Sequence, residues 1–321
     1  MARNLYVNVH QLLHHGLQLP APEVLPFSDD FCLFYAGSFN LIFGDTESGK
    51  TWLCLAAVAS ALNDGGTATI IDLDHNGAPA LIGNLIKLGV DTEVLEDPRR
   101  FRLSEPGDRL ELQEVVQDQL VINPDVVVLD SLGEILPLFR ANSNSADDFT
   151  TVHAEVIKPL TRNGASVLVV DHLAKNADSR SFGPTGTAAK MRATDGLAIR
   201  VTAERQFTPG EGGKAKLQVH KDRYGGVRSH YPSDPKPVIG TFELISDSDT
   251  LDYAFHSAQV VSIRTSPRDE EKQLADDVAA LREVYTTKPA VRQARETLKC
   301  SQNRAMRAVN AFTTTGDEAV A

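Results

Sequence analysis

Residues 41–53 read LIFGDTESGKTWL. An apolar run, SFNLIF, ends at Gly44, and a helical pattern opens at Gly49-Lys50-Thr51. The spacing is G-x-x-x-x-G-K-[ST]. Gly44 and Gly49 let the backbone curl closely around an anion without Cβ clashes. Backbone N–H groups then point inward as a nest, and the helix starting near Lys50 adds the positive end of its dipole. In such a loop Lys50 reaches the β- and γ-phosphates of a nucleotide, and the Thr51 hydroxyl coordinates Mg²⁺. The predicted nucleotide contacts are Gly44, Asp45, Thr46, Glu47, Ser48, Gly49, Lys50, Thr51 and Trp52, although Trp52 reads as packing rather than recognition. A glycine turn with an exposed lysine would carry the same letters, so the flanking sequence has to decide.

Outward from the loop, PDVVVLDSLGEIL supplies a carboxylate. Val126–Leu129 is apolar throughout, as in a parallel strand buried on both faces. Asp130 stands at its C-terminal end, where open α/β sheets place ligands. Asp130 is therefore the expected Mg²⁺-side carboxylate, the alternative being a helix cap. TATIIDLDHN (67–76), ASVLVVDHLAK (165–175) and GLAIRVTAE (196–204) repeat the apolar run, and helical patterns cover 52–62, 78–88, 111–120 and 147–160. Strands alternating with helices predict a parallel sheet with right-handed crossovers. From Ala198 to Tyr253 the pattern changes to hairpins: AIRVTAE, a PGEGG turn and KLQVHKD, then GTFELIS, a DSD turn and TLDYAFH. The expected fold class is α/β, a parallel sheet extended by antiparallel hairpins.

Composition narrows the setting. The chain has 321 residues, 42% of them hydrophobic, enough for a packed α/β core. No stretch approaches the roughly 20 apolar residues of a membrane helix. MARNLYVNVHQLLHH lacks the charged start and apolar block of a secretory signal. Cys32, Cys54 and Cys300 lie far apart without paired spacing, which argues against zinc and against a disulfide framework and points to the reducing cytosol. A net charge of −11 argues against a protein coated in nucleic acid but allows a grip through local loops.

These motifs, in this order, resemble the RecA-like ATPases of the hexameric replicative-helicase group, and more narrowly the RepA/DnaB-like AAA-family ATPases of phages, plasmids and actinobacterial mobile elements. The resemblance covers roughly Val24 to Arg228. It rests on PAPEVLPFSDDFCLFYAGSFNLIFGDTESGKTW, IIDLDHN, VVVLDSLGE, VLVVDHLAKN, SFGPTGTAAKMRATDGLAIRV and KDRYGG. It implies a RecA-like core, ATP and Mg²⁺ as cofactors, single-stranded DNA as partner and a closed ring, a hexamer in that group. Where the group places a catalytic Glu, this chain has Asp74, one methylene shorter, with Asp72 and Glu134 as competing acids. His172 stands where related rings place a polar sensor of the γ-phosphate, and it also reads as structural. Lys221 and Arg223, one residue apart on a strand, would project together and supply a finger to a neighbouring subunit's site. Solvated surface cations are the alternative. GPTGTAAKMR, between two core strands, stands where such rings touch single-stranded DNA, with Lys190 and Arg192 on phosphates. A flexible loop would look the same.

The organisation expected along the chain is a helical segment over 1–23, the ATPase core over 24–256, a linker over 257–272, a helix-turn-helix-like module over 273–312 and a disordered tail over 313–321. The module reads as helices over 274–285, 291–298 and 302–312, with Arg292, Arg295, Lys299, Arg304 and Arg307 concentrated there. A recognition helix would present Arg304 and Arg307 to duplex DNA, unless the helices serve protein contacts. Three functions follow: a ring motor on single strands, an ATP-controlled DNA-binding regulator or loader without unwinding, or a recombinase-like filament former, for which no long N-terminal polymerisation element is evident.

Overall fold

The computed structural model describes residues 8–15, 19–29, 31–173, 183–231, 234–247, 250–258, 267–300 and 302–312. Parts of the readings above, among them Lys175, Phe182, most of the linker and the tail after 312, lie outside the described residues. Strands run β1 Val24–Pro26, β2 Cys32–Phe34, β3 Phe39–Gly44, β4 Ala68–Asp72, β5 Phe101–Ser104, β6 Val126–Asp130, β7 Ser166–His172, β8 Leu197–Thr208, β9 Gly212–Asp222, β10 Val238–Asp247 and β11 Thr250–Ser257. Helices run α1 Val9–His15, α2 Lys50–Asn63, α3 Ala78–Lys87, α4 Thr92–Glu96, α5 Arg109–Ile122, α6 Leu132–Leu138, α7 Ala146–Val152 and α8 Lys158–Arg162, then α9 Ala189–Ala193, α10 Pro267–Val284, α11 Val291–Leu298 and α12 Gln302–Asn310. A π-helical turn, His153–Ile157, joins α7 to α8.

One nine-stranded sheet organises the core in the order β11-β10-β9-β8-β3-β7-β6-β4-β5. From β8 through β3 to β5 the pairs are parallel, and β8 to β11 pair antiparallel. This is the expected parallel sheet extended by hairpins. Side chains alternate across it. Ile42, Ile70, Val128 and Leu168 pack under α2 and α3 on one face, while Leu41, Ile71, Leu129 and Val169 pack under α5 to α8 on the other. Both faces of β3, β4, β6 and β7 are covered, which is why their sequences are continuously apolar. Helix starts are locally encoded: Asp108 caps α5 by accepting from Leu110 N and Glu111 N, and Ser145 caps α7 by accepting from Asp148 N.

Two differences from expectation concern short or polar segments. β5, FRLS, is an edge strand whose alternation is too short to register in sequence. The last unit begins earlier than read, because α10 starts at Pro267 within the stretch taken as linker, and proline suits a first helical position. α10, α11 and α12 close on their own small core of Leu281, Ala294, Ala305, Ala308, Val309 and Phe312. Arg292 and Arg295 of α11 reach Asp125 (3.4 Å) and Glu23 (3.1 Å) of the main core. No helix among the described residues is long and apolar enough to cross a membrane.

Candidate nucleotide site

The phosphate loop leaves β3 at Gly44 and enters α2 at Lys50. Gly49 has φ 94°, the left-handed region that glycine adopts without strain. Lys50 is buried, and its ammonium donates back to Gly44 O (3.3 Å) and Asp45 O (2.5 Å). Burial lowers its pKa, while Asp130, Asp74 and Asp45 act to raise it. Thr51 Oγ1 donates to Asp130 Oδ2 at 2.7 Å. The other carboxylate oxygen of Asp130 is buried without a partner, as are Ser48 Oγ and His172 Nδ1. Burial pushes Asp130 up to about 6, with Thr51's hydrogen bond opposing and Asp74 and Asp72 adding to the rise.

That set fits Mg²⁺ and an anion. Asp130 Oδ1 is an acceptor without a donor, and buried polar groups of that kind require a partner. Among the described residues no group of three or more His, Cys, Asp and Glu side chains could hold a metal. A Mg²⁺ here would be held by Thr51, Asp130 and oxygens of its phosphate ligand.

The acids beyond β4 separate by partner. Asp72 is spent on its own turn, accepting from Asn76 Nδ2 (2.8 Å) and Gly77 N (3.0 Å). Asp74 lines the pocket instead. Its Oδ1 accepts from Ser131 Oγ at 3.3 Å, and its Oδ2 lies 3.8 Å from His172 Nε2. The His172 imidazole beside it holds the Asp74 carboxyl below its usual range, against the opposing effect of burial. Glu134 is exposed on α6 and does not line the pocket. Lys50, Thr51, Asp130, Asp74 and His172 thus meet in one cavity of about 330 Å³, together with Trp52 and loop residues 46–49.

Other predicted contacts are placed differently. Lys190 is a correction: it is fully buried, and its Nζ donates to Asp171 Oδ2 at 2.7 Å, so it cannot reach a DNA phosphate. Ala189 and Met191 flank it in the core under β7, and a buried lysine requires a partner of this kind. Arg192, two residues on, is exposed. Lys221 also departs from expectation. Its ammonium caps the C-terminal end of α9, donating to Met191 O (2.9 Å) and Arg192 O (3.0 Å), so it does not project beside Arg223. Arg223 lies just past β9 and is exposed. Its turn is held by the Asp222 carboxylate, which accepts from Tyr35 OH (2.6 Å), Gly225 N (3.1 Å), Val227 N (3.0 Å) and Arg228 N (2.8 Å). In the C-terminal unit the Arg304 guanidinium makes a two-pronged pair with Asp277 (2.7 Å at both oxygens), which spends it on holding α12 to α10. Arg307 is exposed.

Sequence reading missed Asn76, whose amide reaches Asp130 Oδ2 at 3.4 Å, and the tip of the β8–β9 hairpin. There Gln206 Nε2 donates to Glu47 Oε2 (2.9 Å) and the Phe207 ring lies on Gly49, where a Cβ would collide with it. IIDLDHN did display Asn76 beside its acids. Nothing local in LAIRVTAERQFT shows that this strand extends over the phosphate loop.

A strand-loop-helix phosphate site at the C-terminal ends of a parallel sheet, with antiparallel strands continuing from β8, defines a RecA-like P-loop protein. Residues 34–171 match the RecA N-terminal domain family. The chain is 27% identical over 197 residues to the RecA protein of Tropheryma whipplei, covering 57% of this chain and 43% of that one. To the RecA protein of Streptomyces rimosus it is 33% identical over 129 residues, 40% of this chain and 32% of that one. A KaiC-like protein of Pyrococcus horikoshii shares the fold, with a TM-score of 0.51 at 14% identity over 74% of this chain and 99% of that one. The core is therefore similar to RecA in sequence, and the chain spans about half of the curated relatives' length, 43% of the Tropheryma protein and 54% of the Frankia casuarinae one.

Proposed function

We propose that this chain is a Mg²⁺-dependent ATPase that works as a homo-oligomeric ring, a hexamer, on single-stranded DNA, as a RepA/DnaB-like replicative helicase of the cytoplasm. The observation that carries the reading is the convergence of Lys50 and Thr51 of α2, Asp130 of β6, Asp74 beyond β4 and His172 of β7 in one cavity. Thr51 and Asp130 would hold Mg²⁺, which would supply positive charge to the phosphate oxygens of the nucleotide. Lys50 trades two neutral carbonyl oxygens for phosphate. Asp74, held ionised by His172, orients or deprotonates the attacking water, and His172 reports the γ-phosphate to the segment after β7. Arg223, exposed on a turn pinned by Asp222, completes a neighbour's site, a contact that elsewhere is worth about 10³–10⁵ in rate. Arg192 faces the strand, and Arg307 serves duplex DNA.

A second reading, an ATP-controlled DNA-binding regulator or loader, is favoured by Asp74 itself, whose shorter arm suits slow turnover. Steady-state ATP hydrolysis with and without single-stranded DNA, with Lys50→Ala as blank, separates the two. A motor gives stimulation of about tenfold or more, lost in Arg223→Ala and restored by mixing with Asp74→Ala, since each variant supplies the half-site the other lacks. Slow hydrolysis indifferent to DNA sinks the motor and leaves the switch.

A further inference from the structure

The C-terminal unit meets the core far from the phosphate loop. Gly66, Asp125 and Gly164 border the contact, and they precede β4, β6 and β7, so the seam lies at the N-terminal ends of strands whose C-terminal ends hold the nucleotide site. It encloses a cavity of about 180 Å³, with Glu23, Asp64 and Asp125 of the core facing Arg292, Arg295 and Glu296 of α11. Arg292 Nη1 lies 3.5 and 3.4 Å from the two oxygens of Asp125, and Arg295 Nη2 donates to Glu23 Oε2 at 3.1 Å. All four side chains are between 34% and 56% exposed. Asp125 does not depend on Arg292, because its Oδ2 already accepts from Thr67 N and Thr67 Oγ1, both at 2.9 Å. The Arg304–Asp277 pair inside the unit is of another kind: two-pronged, 2.7 Å at both oxygens, with Asp277 buried. Ion pairs open to water contribute little and are screened by salt, so the seam opens at low cost. The unit has its own apolar core to keep when it does.

We propose that Arg292 and Arg295 are contacts to the phosphates of duplex DNA, and that Glu23 and Asp125 occupy them while the unit is docked, so that docking and DNA exclude each other. This rests on the reading of the C-terminal unit as a duplex-DNA binder. α11 ends at Leu298 and α12 begins at Gln302, with Lys299 in the left-handed region (φ 48°) at the turn between them. In a helix pair of that kind the second helix enters the major groove and the first crosses the backbone. α11 is the first, and its two arginines, three residues apart, share one face. A carboxylate offers a guanidinium the same paired anionic oxygens as a phosphate. Glu23 and Asp125 therefore stand where phosphates would. Of the cations Arg292, Arg295, Lys299, Arg304 and Arg307, three are held by carboxylates in the docked form, and the seam accounts for two of the three. On a chain of net charge −11, freeing those two decides whether the unit attracts DNA at all.

The seam supplies its own lock. A Cβ on Gly65 would lie 3.9 Å from the Cβ of Ala290, within the separation a disulfide requires. The full chain is made as Gly65→Cys with Ala290→Cys in a Cys300→Ser background, since Cys32 and Cys54 are buried. Binding of a short fluorescein-labelled duplex is read by anisotropy before and after reduction. The oxidised chain binds at least about tenfold more weakly than the same chain reduced, because its two arginines are withheld from phosphate. Duplex present during oxidation slows disulfide formation, as reciprocal coupling demands. Gly65 has φ 83°, where a side chain is strained, so Glu23→Gln tests the seam without touching it and tightens duplex binding about threefold. Arg292→Gln with Arg295→Gln weakens binding and lowers its salt slope by about two. If oxidised and reduced chains bind the duplex alike, or the double arginine variant binds like the parent, these arginines are not its contacts and the inference is wrong, while the DNA reading stands on Arg307. A disulfide that fails to form in the folded chain without DNA means that the seam is not closed in solution, and the inference falls. If the parent and every variant, reduced or oxidised, ignore the duplex, the DNA reading itself falls and takes the inference with it.

Discussion

The phosphate loop and the segment after β7 each bury a lysine, and they satisfy it in opposite ways. Lys50, 5% exposed, rests on two backbone carbonyls, with Asp130 Oδ1 and Ser48 Oγ unpaired around it. Lys190, 0% exposed, is held at 2.7 Å by Asp171, which is equally buried. Neutral oxygens can be exchanged for phosphate at little cost, so the first arrangement is a site. A carboxylate in the interior cannot be given up, so the second is a joint between β7 and α9. Two positively charged residues that look alike in sequence therefore belong to different parts of the machine.

Truncating both lysines tests this most severely. Lys190→Met leaves the buried Asp171 carboxyl without its cation, and removing one partner of such a pair costs about 3–5 kcal/mol. Lys50→Met removes a charge that burial already disfavours and costs less than about 1 kcal/mol, while nucleotide binding is lost. Urea midpoints give both values. Replacing the pair together, as Lys190→Met with Asp171→Leu, returns most of the stability. Equal costs for the two lysines would erase the distinction between site and joint.

What the sequence displayed tracks which interactions are local. The phosphate loop, the apolar strands ending in Asp130 and His172, and the paired hairpin strands are contiguous patterns, and each sits where it was expected. The choice of Asp74 over Asp72 was half legible, since alternation puts both on one face and only the Asn76–Gly77 turn commits Asp72. Lys190, Lys221 and Arg304 were misread for a shared reason. Each is paired to a group 19 to 30 residues away, on Asp171, on the end of α9, or on Asp277, and charge in a sequence carries no record of burial. Phe207 was invisible because an aromatic near a hairpin tip is ordinary until the hairpin is seen to cover Gly49.

A smaller effect sharpens the comparison on the site's side. Burial raises Asp130 to about 6, against about 3.9 for a free aspartate. The folded chain therefore holds a proton that the unfolded chain has released over roughly pH 4 to 6. Stability from this group is present below that window, falls as pH rises through it, and leaves a cost of up to about 3 kcal/mol at neutral pH. Asp130→Asn keeps an acceptor for Thr51 and removes the charge. Its melting temperature at pH 8 rises above that of the parent and no longer falls between pH 4 and 6, while Mg²⁺-dependent nucleotide binding disappears. A variant that melts lower at pH 8 would mean that Asp130 is already compensated, and that this pocket is a joint like the other.

The smallest effect comes from Asp74 and His172, a pair that resembles neither lysine. Their side chains are 35% and 32% exposed, and at 3.8 Å the contact is loose. His172 is the leading cause of Asp74's lowered pKa, so a His172→Gln chain moves Asp74 back toward the ordinary carboxylate range. Asp74 then ionises at higher pH, and the acid limb of the hydrolysis profile shifts upward, a small effect because a partly exposed pair is screened by water. The same looseness leaves room beside the carboxylate for a water, which the tight Lys190–Asp171 pair does not. A large shift would show a pair as strongly coupled as the buried one. An unmoved limb with a fallen maximal rate would give His172 to the phosphate alone and leave Asp74 to hold its water unaided.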